Sequence, residues 1–250
     1  MSNPLERAFK ILDIAASANR ELALIEIVQA SGLPQSSAFR LAGSLVETGM
    51  LSFNPNNKTY RAGSRALRLS MFLIGQKKFA EIVRPSLEVV SRSTEETAFF
   101  VLRGAEGLRL FDYLVPELGA RAFIHPGFTF PRHATASGKV IAAFSPSDES
   151  PASGDTILER YQDATITDPD ELSKYLLRVK EQGFATNDSE LDRDVFSACA
   201  PVFFAGEIAG ALGFVGPRDR LAVLKKAEMP VLLEALKNEA DHLSVLMKES

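Results

Sequence analysis

The stretch Ala30-Ser31-Gly32-Leu33-Pro34-Gln35-Ser36-Ser37-Ala38-Phe39-Arg40-Leu41-Ala42-Gly43-Ser44-Leu45 decides the fold of the N-terminal part of this chain. Gly32 stops one helix and Leu33-Pro34 opens the next, in which Ala38, Leu41, Ala42 and Leu45 recur at i, i+3, i+4 and i+7 as one apolar stripe. This helix is expected from about Gln35 to Thr48, with Gly49 ending it. On a helical wheel Ser36, Arg40, Gly43 and Glu47 stand opposite the stripe, with Phe39 and Ser44 on its flanks. Two short helices joined by a glycine turn, the second with a small and polar outer face, describe a helix-turn-helix whose second helix fits a DNA major groove.

The flanking segments agree with that reading. Asn3, Pro4 and Glu6 form an N-cap, a first-turn proline and a returning acid ahead of Leu5, Ala8, Phe9, Leu12 and Ala15 at helical spacing. A polar break at Ser17 to Glu21 precedes Leu24, Ile27 and Val28 of the second helix. Met50, Leu51 and Phe53, then Asn54-Pro55-Asn56-Asn57, then Lys58, Tyr60 and Arg61 read as a strand, a turn and a strand, the wing. The expected DNA contacts are Gln35, Ser36 and Ser37 at the helix start, Arg40 on guanine or phosphate, and Gly43 and Ser44 at a closely approached face. Phe39 has two readings, contact with a thymine methyl or packing beneath the wing. Lys58 and Arg61 also have two, phosphate contacts or a solvated basic pair. Ser64 to Gln76, with Leu67, Leu69, Met71, Phe72 and Ile74, is expected to be a helix joining this module to the rest.

From Ala80 onward the pattern is α+β. A helix carrying Ile82, Val83, Leu87 and Val90 precedes strands over 97–103 and 108–115, and Arg121 to His125 reads as a further strand. Helices follow over 136–144 and from Asp168 to Gly183, then a hairpin of 195–204 and 208–215, then one closing helix from about Arg218 to Met247. The expected domains are 1–62, a winged helix-turn-helix; 63–78, a linker helix; and 79–250, an effector-binding and oligomerisation domain.

Charge divides along the same line. Of 28 Lys/Arg, ten lie in 1–78 and eighteen beyond; of 32 Asp/Glu, five and twenty-seven, so a head of net +5 precedes a body of net −9. A basic head suits a polyanionic partner. With 46% hydrophobic and 24% charged residues the chain is an ordinary folded protein. No apolar run reaches the ~18 residues of a membrane span, and the N-terminus carries no signal-like segment, so no membrane association and a cytoplasmic location are expected. Cys199 is alone, so no internal disulfide forms. His125 and His133 lack metal-site spacing, and no metal or other cofactor is expected. Gly138-Lys139 lacks the remainder of a phosphate-binding loop.

The chain resembles the IclR family. The segment Ala30 to Ser37 with Arg40-Leu41 is similar to that family's Thr-Gly-Leu-Pro-Lys-Ser-Thr motif. In the body, His133-Ala134-Thr135-Ala136-Ser137-Gly138-Lys139, Glu181-Gln182-Gly183-Phe184-Ala185 and Ala198-Cys199-Ala200-Pro201-Val202 match further signatures in order. The resemblance implies a winged helix-turn-helix, a GAF-like α/β effector-binding domain, homodimers or dimers of dimers, and transcriptional control by a small organic molecule.

It further implies an effector site at Phe130, Ala136, Ser137, Asn187, Val195, Ser197, Gly213 and Val215. Here Asn187 replaces an aspartate of the family pattern, Ser197 a cysteine, and Gly213 and Val215 two serines. Lost hydroxyls, with added room or apolar surface, favour an aromatic or longer-chain carboxylate over a two- or three-carbon oxo acid. The expected function is a ligand-responsive regulator, a repressor rather than an activator, on pseudo-palindromic operator DNA. The competing reading is an enzyme acting on a small organic acid; the body shows no nucleophile elbow, no paired Cys and His motif and no zinc signature to support it.

Overall fold

Asn3 accepts the Leu5 amide at 3.1 Å and Pro4 takes the first turn of helix α1 (Pro4–Ser17), where a missing donor costs nothing. The computed structural model describes residues 3–18, 20–63, 65–66, 69–70, 76–104, 107–117, 121–122, 124–125, 128–145, 151, 157–204, 206–224 and 226–249. They divide into two units, Met1–Gln76 and Lys77–Ser250.

In the first unit, strand β1 (Leu22–Ala23) leads into α2 (Leu24–Ser31), which Gly32 ends at a φ of 66°. That left-handed conformation is open to glycine because it has no Cβ. Helix α3 (Gln35–Glu47) turns Ala38 and Ala42 into a core with Ile11, Ile27, Leu51 and Tyr60. Two alanines on the inner face let α3 approach α1 closely, and each fully buried Ile or Leu adds roughly 1.5–3 kcal/mol. Strands β2 (Leu51–Asn54) and β3 (Thr59–Ala62) form the wing, with Phe53 opposite Tyr60. The two-residue β1 joins the far edge of β3, an element that the polar break before it conceals in the sequence. Arg65, Ala66, Leu69 and Ser70 are helical; the rest of the expected linker helix up to 75 lies outside the described residues.

The second unit opens with α4 (Gln76–Thr94), which begins four residues before the expected start and carries Pro85 inside it. Strands β4 (Thr97–Arg103), β5 (Leu108–Leu114), β6 (Ala185–Asp188), β7 (Val195–Phe204) and β8 (Glu207–Pro217) form an antiparallel sheet in the order β5-β4-β8-β7-β6. Helices α5 (Ala136–Phe144) and α6 (Pro169–Gln182) share a core with one face of the sheet, through Val140, Ile141, Leu172, Leu176, Phe99, Cys199 and Val215. On the other face Phe79 of α4 packs on Phe100 at 6.1 Å, and Ser244 of α7 (Met229–Glu249) receives the Phe203 amide at 2.9 Å. Ser86 donates to Glu239 at 2.7 Å and joins α4 to α7. Helices therefore cover both faces of the sheet.

Two expectations are corrected. Arg121, Ala122, Ile124 and His125 are not in a strand. Both edges of β4 are occupied by β5 and β8, and the Ala122 carbonyl instead accepts the Thr97 hydroxyl at 2.8 Å. The closing helix is also not continuous: a π-helical segment, Asp219–Leu224, is followed by turns and then α7. Pro230 lacks an amide donor, so it belongs in a first turn and a new helix starts there. Among the described residues no helix is long and apolar enough to cross a membrane.

Candidate functional site

The first unit presents the outer face of α3. Gln35, Ser36, Phe39, Arg40 and Ser44 are exposed, while Ser37 and Gly43 are partly covered. A Cβ placed on Gly43 would meet nothing within 4 Å, so the middle of this face is open to close approach. Arg40 takes part in none of the ion pairs among the described residues. Phe39 is 62% exposed, so it is not packed beneath the wing. Lys58 is exposed in the wing turn at a φ of 54°. Arg61 is placed differently: it lies in β3 and its guanidinium pairs with Glu21 at 3.5 Å. Glu21 also accepts from the Thr59 hydroxyl and, at 3.2 Å, from the Asn54 side-chain Nδ2, and these bonds, led by Thr59, hold its carboxyl below the usual range. Glu21 thus draws one of the two expected phosphate contacts back onto the wing, which no local pattern reveals across 40 residues.

In the second unit, register assembles the other candidates. Asn187 lies opposite Ser197, Ser197 opposite Val215, and Val215 opposite Thr97, and cross-strand partners share a face. The adjacent row on that face is Ala185, Cys199, Gly213 and Phe99. Phe130, Ala136, Val195 and Val215 belong to one apolar cluster, and Ser137, Asn187 and Ser197 are buried. Sequence positions spread from 130 to 215 therefore converge where the start of α5 meets β6, β7 and β8.

The start of α5 is built by its signature. The Thr135 hydroxyl accepts the Gly138 amide at 3.0 Å and donates to the Pro131 carbonyl at 2.8 Å. A Cβ on Gly138 would lie 2.6 Å from Arg132 Cα and 2.7 Å from the Pro131 carbonyl oxygen, so the tight turn requires glycine there. The Ala136 and Ser137 amides have no partner inside the helix, and no acceptor among the described residues meets them. Amides so placed favour an anion. His133 is engaged elsewhere, with Nε2 at 2.8 Å from the Glu159 carbonyl oxygen and its ring beside Tyr161.

One expectation about this site fails. Gly213 does not add room: a Cβ there would collide with the Ala198 carbonyl oxygen and Cys199 Sγ and come within 3.1 Å of the Phe99 ring. Cys199, displaced by two residues from the family cysteine position, fills the space that glycine vacates. Burial pushes its thiol well above the ordinary range, so it is a neutral packing group.

Three features are absent from sequence reasoning. Lys139 is completely buried and pairs with Glu190, its ammonium 4.5 Å from the centre of the Tyr175 ring. The Glu190 amide donates to Asn187 Oδ1 at 2.8 Å, so Asn187 braces this loop. Glu190 Oε2 and Ser189 Oγ are buried without a hydrogen-bond partner. Third, Glu96, also completely buried, is gripped by Arg220 of the π-helical segment, with Nη2 to Oε2 at 2.6 Å. Among the described residues no group of His, Cys, Asp and Glu could hold a metal ion.

A winged helix-turn-helix followed by a separate α/β unit defines a transcriptional regulator with a DNA-binding domain and a small-molecule-binding domain. Residues 4–55 match the IclR helix-turn-helix domain and residues 71–245 match the C-terminal domain of the bacterial transcriptional regulator IclR. The chain belongs to the IclR family of transcriptional regulators. It is 28% identical over 242 residues to the HTH-type transcriptional regulator BhcR of Paracoccus denitrificans, covering 96% of this chain and 85% of that protein. To the HTH-type transcriptional regulator XynR of Escherichia coli it is 31% identical over 205 residues, covering 80% and 79%. A solved IclR homologue from Microbacterium hydrocarbonoxydans, complexed with 4-hydroxybenzoate, shares the fold with a TM-score of 0.60 at 20% identity, covering 99% of this chain and 100% of that one. The relatives are named as regulators, and the enzyme reading is set aside on that ground.

Proposed function

We propose that this regulator is a repressor that binds a pseudo-palindromic operator as a homodimer or a dimer of dimers and is switched by an aromatic or longer-chain carboxylate. The observation that carries the DNA half is the outer face of α3, polar and exposed, with Arg40 engaged in no ion pair among the described residues. Residues 1–62 bind DNA, 63–78 link, and 79–250 bind the effector and self-associate. Gln35, Ser36, Ser37 and Ser44 meet phosphates and base edges, Gly43 admits the duplex, Arg40 reads a base, and Lys58 holds the backbone, while Glu21 keeps Arg61 on the wing.

In the effector half, the open Ala136 and Ser137 amides receive the carboxylate and the Asn187 amide nitrogen is a further donor. Phe130, Val195 and Val215 supply apolar walls around Ser197. Cys199 fills the space at Gly213, so the preference for a larger acid rests on the lost hydroxyls and these walls. The relative that holds 4-hydroxybenzoate supports an aromatic acid.

The test is selection of operator DNA from a genomic library, with and without benzoate-like and oxo acids. Inverted-repeat enrichment that an aromatic acid abolishes is expected. Arg40→Ala should lose ~1–3 kcal/mol on the selected site with little change in non-specific binding, whereas Lys58→Ala should weaken all duplexes alike and lower the salt slope by about 1. Heat stabilisation by glyoxylate or pyruvate alone would refute the effector class.

A further inference from the structure

The most exposed large apolar side chain described in the first unit is Phe39, at 62%. It does not line the apolar groove of this unit, which is formed by Leu5, Phe9, Leu41, Leu45, Met50 and Leu69 among others. Its surroundings on the helix are polar or empty. Ser36 lies three residues before it, Arg40 beside it, and Gly43 one turn on, with open space where a side chain would stand. Helical side chains lean toward the N-terminus, so the ring projects over the start of α3. There, exposed Ser36 and the Gln35 and Ser36 backbone amides, which the first turn leaves unpaired, suit phosphate.

We propose that Phe39 determines operator specificity by packing against the 5-methyl group of a thymine, next to the base that Arg40 contacts. This deepens the DNA-binding reading and rests on it. The methyl is the apolar feature of the major-groove edge, and an aromatic ring is among the side chains that meet it. The empty Gly43 position lets the helix come near enough for a short, rigid ring to touch a base edge. Arg40 and the basic head supply the attraction to the duplex, so the uncharged ring discriminates without having to bind.

The experiment uses full-length protein and a randomised duplex library. The selected duplex is remade with deoxyuridine replacing thymine one position at a time, which removes a methyl and alters no hydrogen-bonding group. At one thymine per half-site the native protein should lose about fourfold in affinity, the equivalent of one buried methyl. Phe39→Ala should bind the thymine and uridine duplexes equally, and Phe39→Leu should restore part of the difference. Both variants should keep the native thermal transition and the native affinity for unrelated duplexes, because the ring is exposed. Binding with no uridine-sensitive position, or a uridine penalty that persists in Phe39→Ala, overturns the proposal while leaving the regulator reading intact. Failure to bind any duplex overturns both, and loss of self-association in Phe39→Ala would assign the ring to a protein contact instead.

Discussion

Replacing Lys139 by methionine separates the two parts of the buried pair. Lys139 is 0% exposed and Glu190 10%, so neither charge is recovered by water when its partner is removed. Breaking a buried pair from one side costs roughly 3–5 kcal/mol. One oxygen of Glu190 is already without a partner, so no second bond softens the loss, and about 3 kcal/mol is expected for Lys139→Met at neutral pH. Glu190→Gln in the same chain removes the stranded charge. The double variant Lys139→Met/Glu190→Gln should therefore recover most of that amount.

The pH dependence carries the sign. Burial, its largest influence, raises the Glu190 carboxyl above its ordinary 4.5, while Lys139 pulls it down. A raised acid binds more protons folded than unfolded, so its contribution is favourable below about 4.5 and is lost as pH rises through the folded value. Lys139→Met removes the opposing cation and widens that window, so its deficit should be small at pH 4 and full at pH 7.5. Urea denaturation followed by tyrosine fluorescence reads this unit, which holds Tyr113, Tyr161 and Tyr175 of the four tyrosines in a chain without tryptophan. A deficit below about 1 kcal/mol at pH 7.5, or one equal at both pH values, would show that Lys139 and Glu190 do not act as a buried charge pair.

Three other perturbations follow from close contacts. Gly213→Ala or Gly213→Ser should destabilise the second unit by ~1–3 kcal/mol in the same denaturation, because Cys199 and Phe99 already occupy the space; unchanged stability would mean the site is open. Arg220→Met strands the buried Glu96 carboxylate beside Gly216 and should cost roughly 3–5 kcal/mol, largely recovered by adding Glu96→Gln. Glu21→Gln should release Arg61 from the wing and steepen the salt dependence of DNA binding by up to about 1, read from affinities across an ionic-strength series.

The head was legible because its signals are local. Asn3-Pro4, Gly32 and the Ala38-Ala42 stripe each specify backbone within a turn or two: α1 begins at Pro4, α2 ends at Gly32, and α3 runs through the stripe. The missed elements depend on distant partners. Strand β1 is two residues that are extended because β3 lies beside them, and β6 is four residues held against β7. The rows proposed for the effector follow from motif positions, but what fills them does not: Cys199 and Gly213 are fourteen residues apart and become neighbours only through the β7–β8 register. The role of Lys139 is set by an acid 51 residues away, not by its glycine neighbour.

These distant bonds explain how the loop after β6 keeps its shape. Asp188 pairs with Arg218 at 2.5 Å, the Arg218 amide reaches the Asp194 carbonyl at 2.8 Å, and Glu190 is fixed by Lys139 and by Asn187. Ser189 and Asp194 carry positive φ values of 58° and 60°, backbone that non-glycine residues hold only when their surroundings impose it. The effector proposed at Asn187 and Ser137 would therefore meet a loop ordered by the protein's own charges, and little of its binding energy would be consumed in ordering the site. The same bonds run from α5 through the loop to the residue that precedes the π-helical segment, whose next arginine, Arg220, holds Glu96 at the start of β4. Any ligand that binds differently to two arrangements of this clamp shifts the balance between them by that difference in affinity, and by no more.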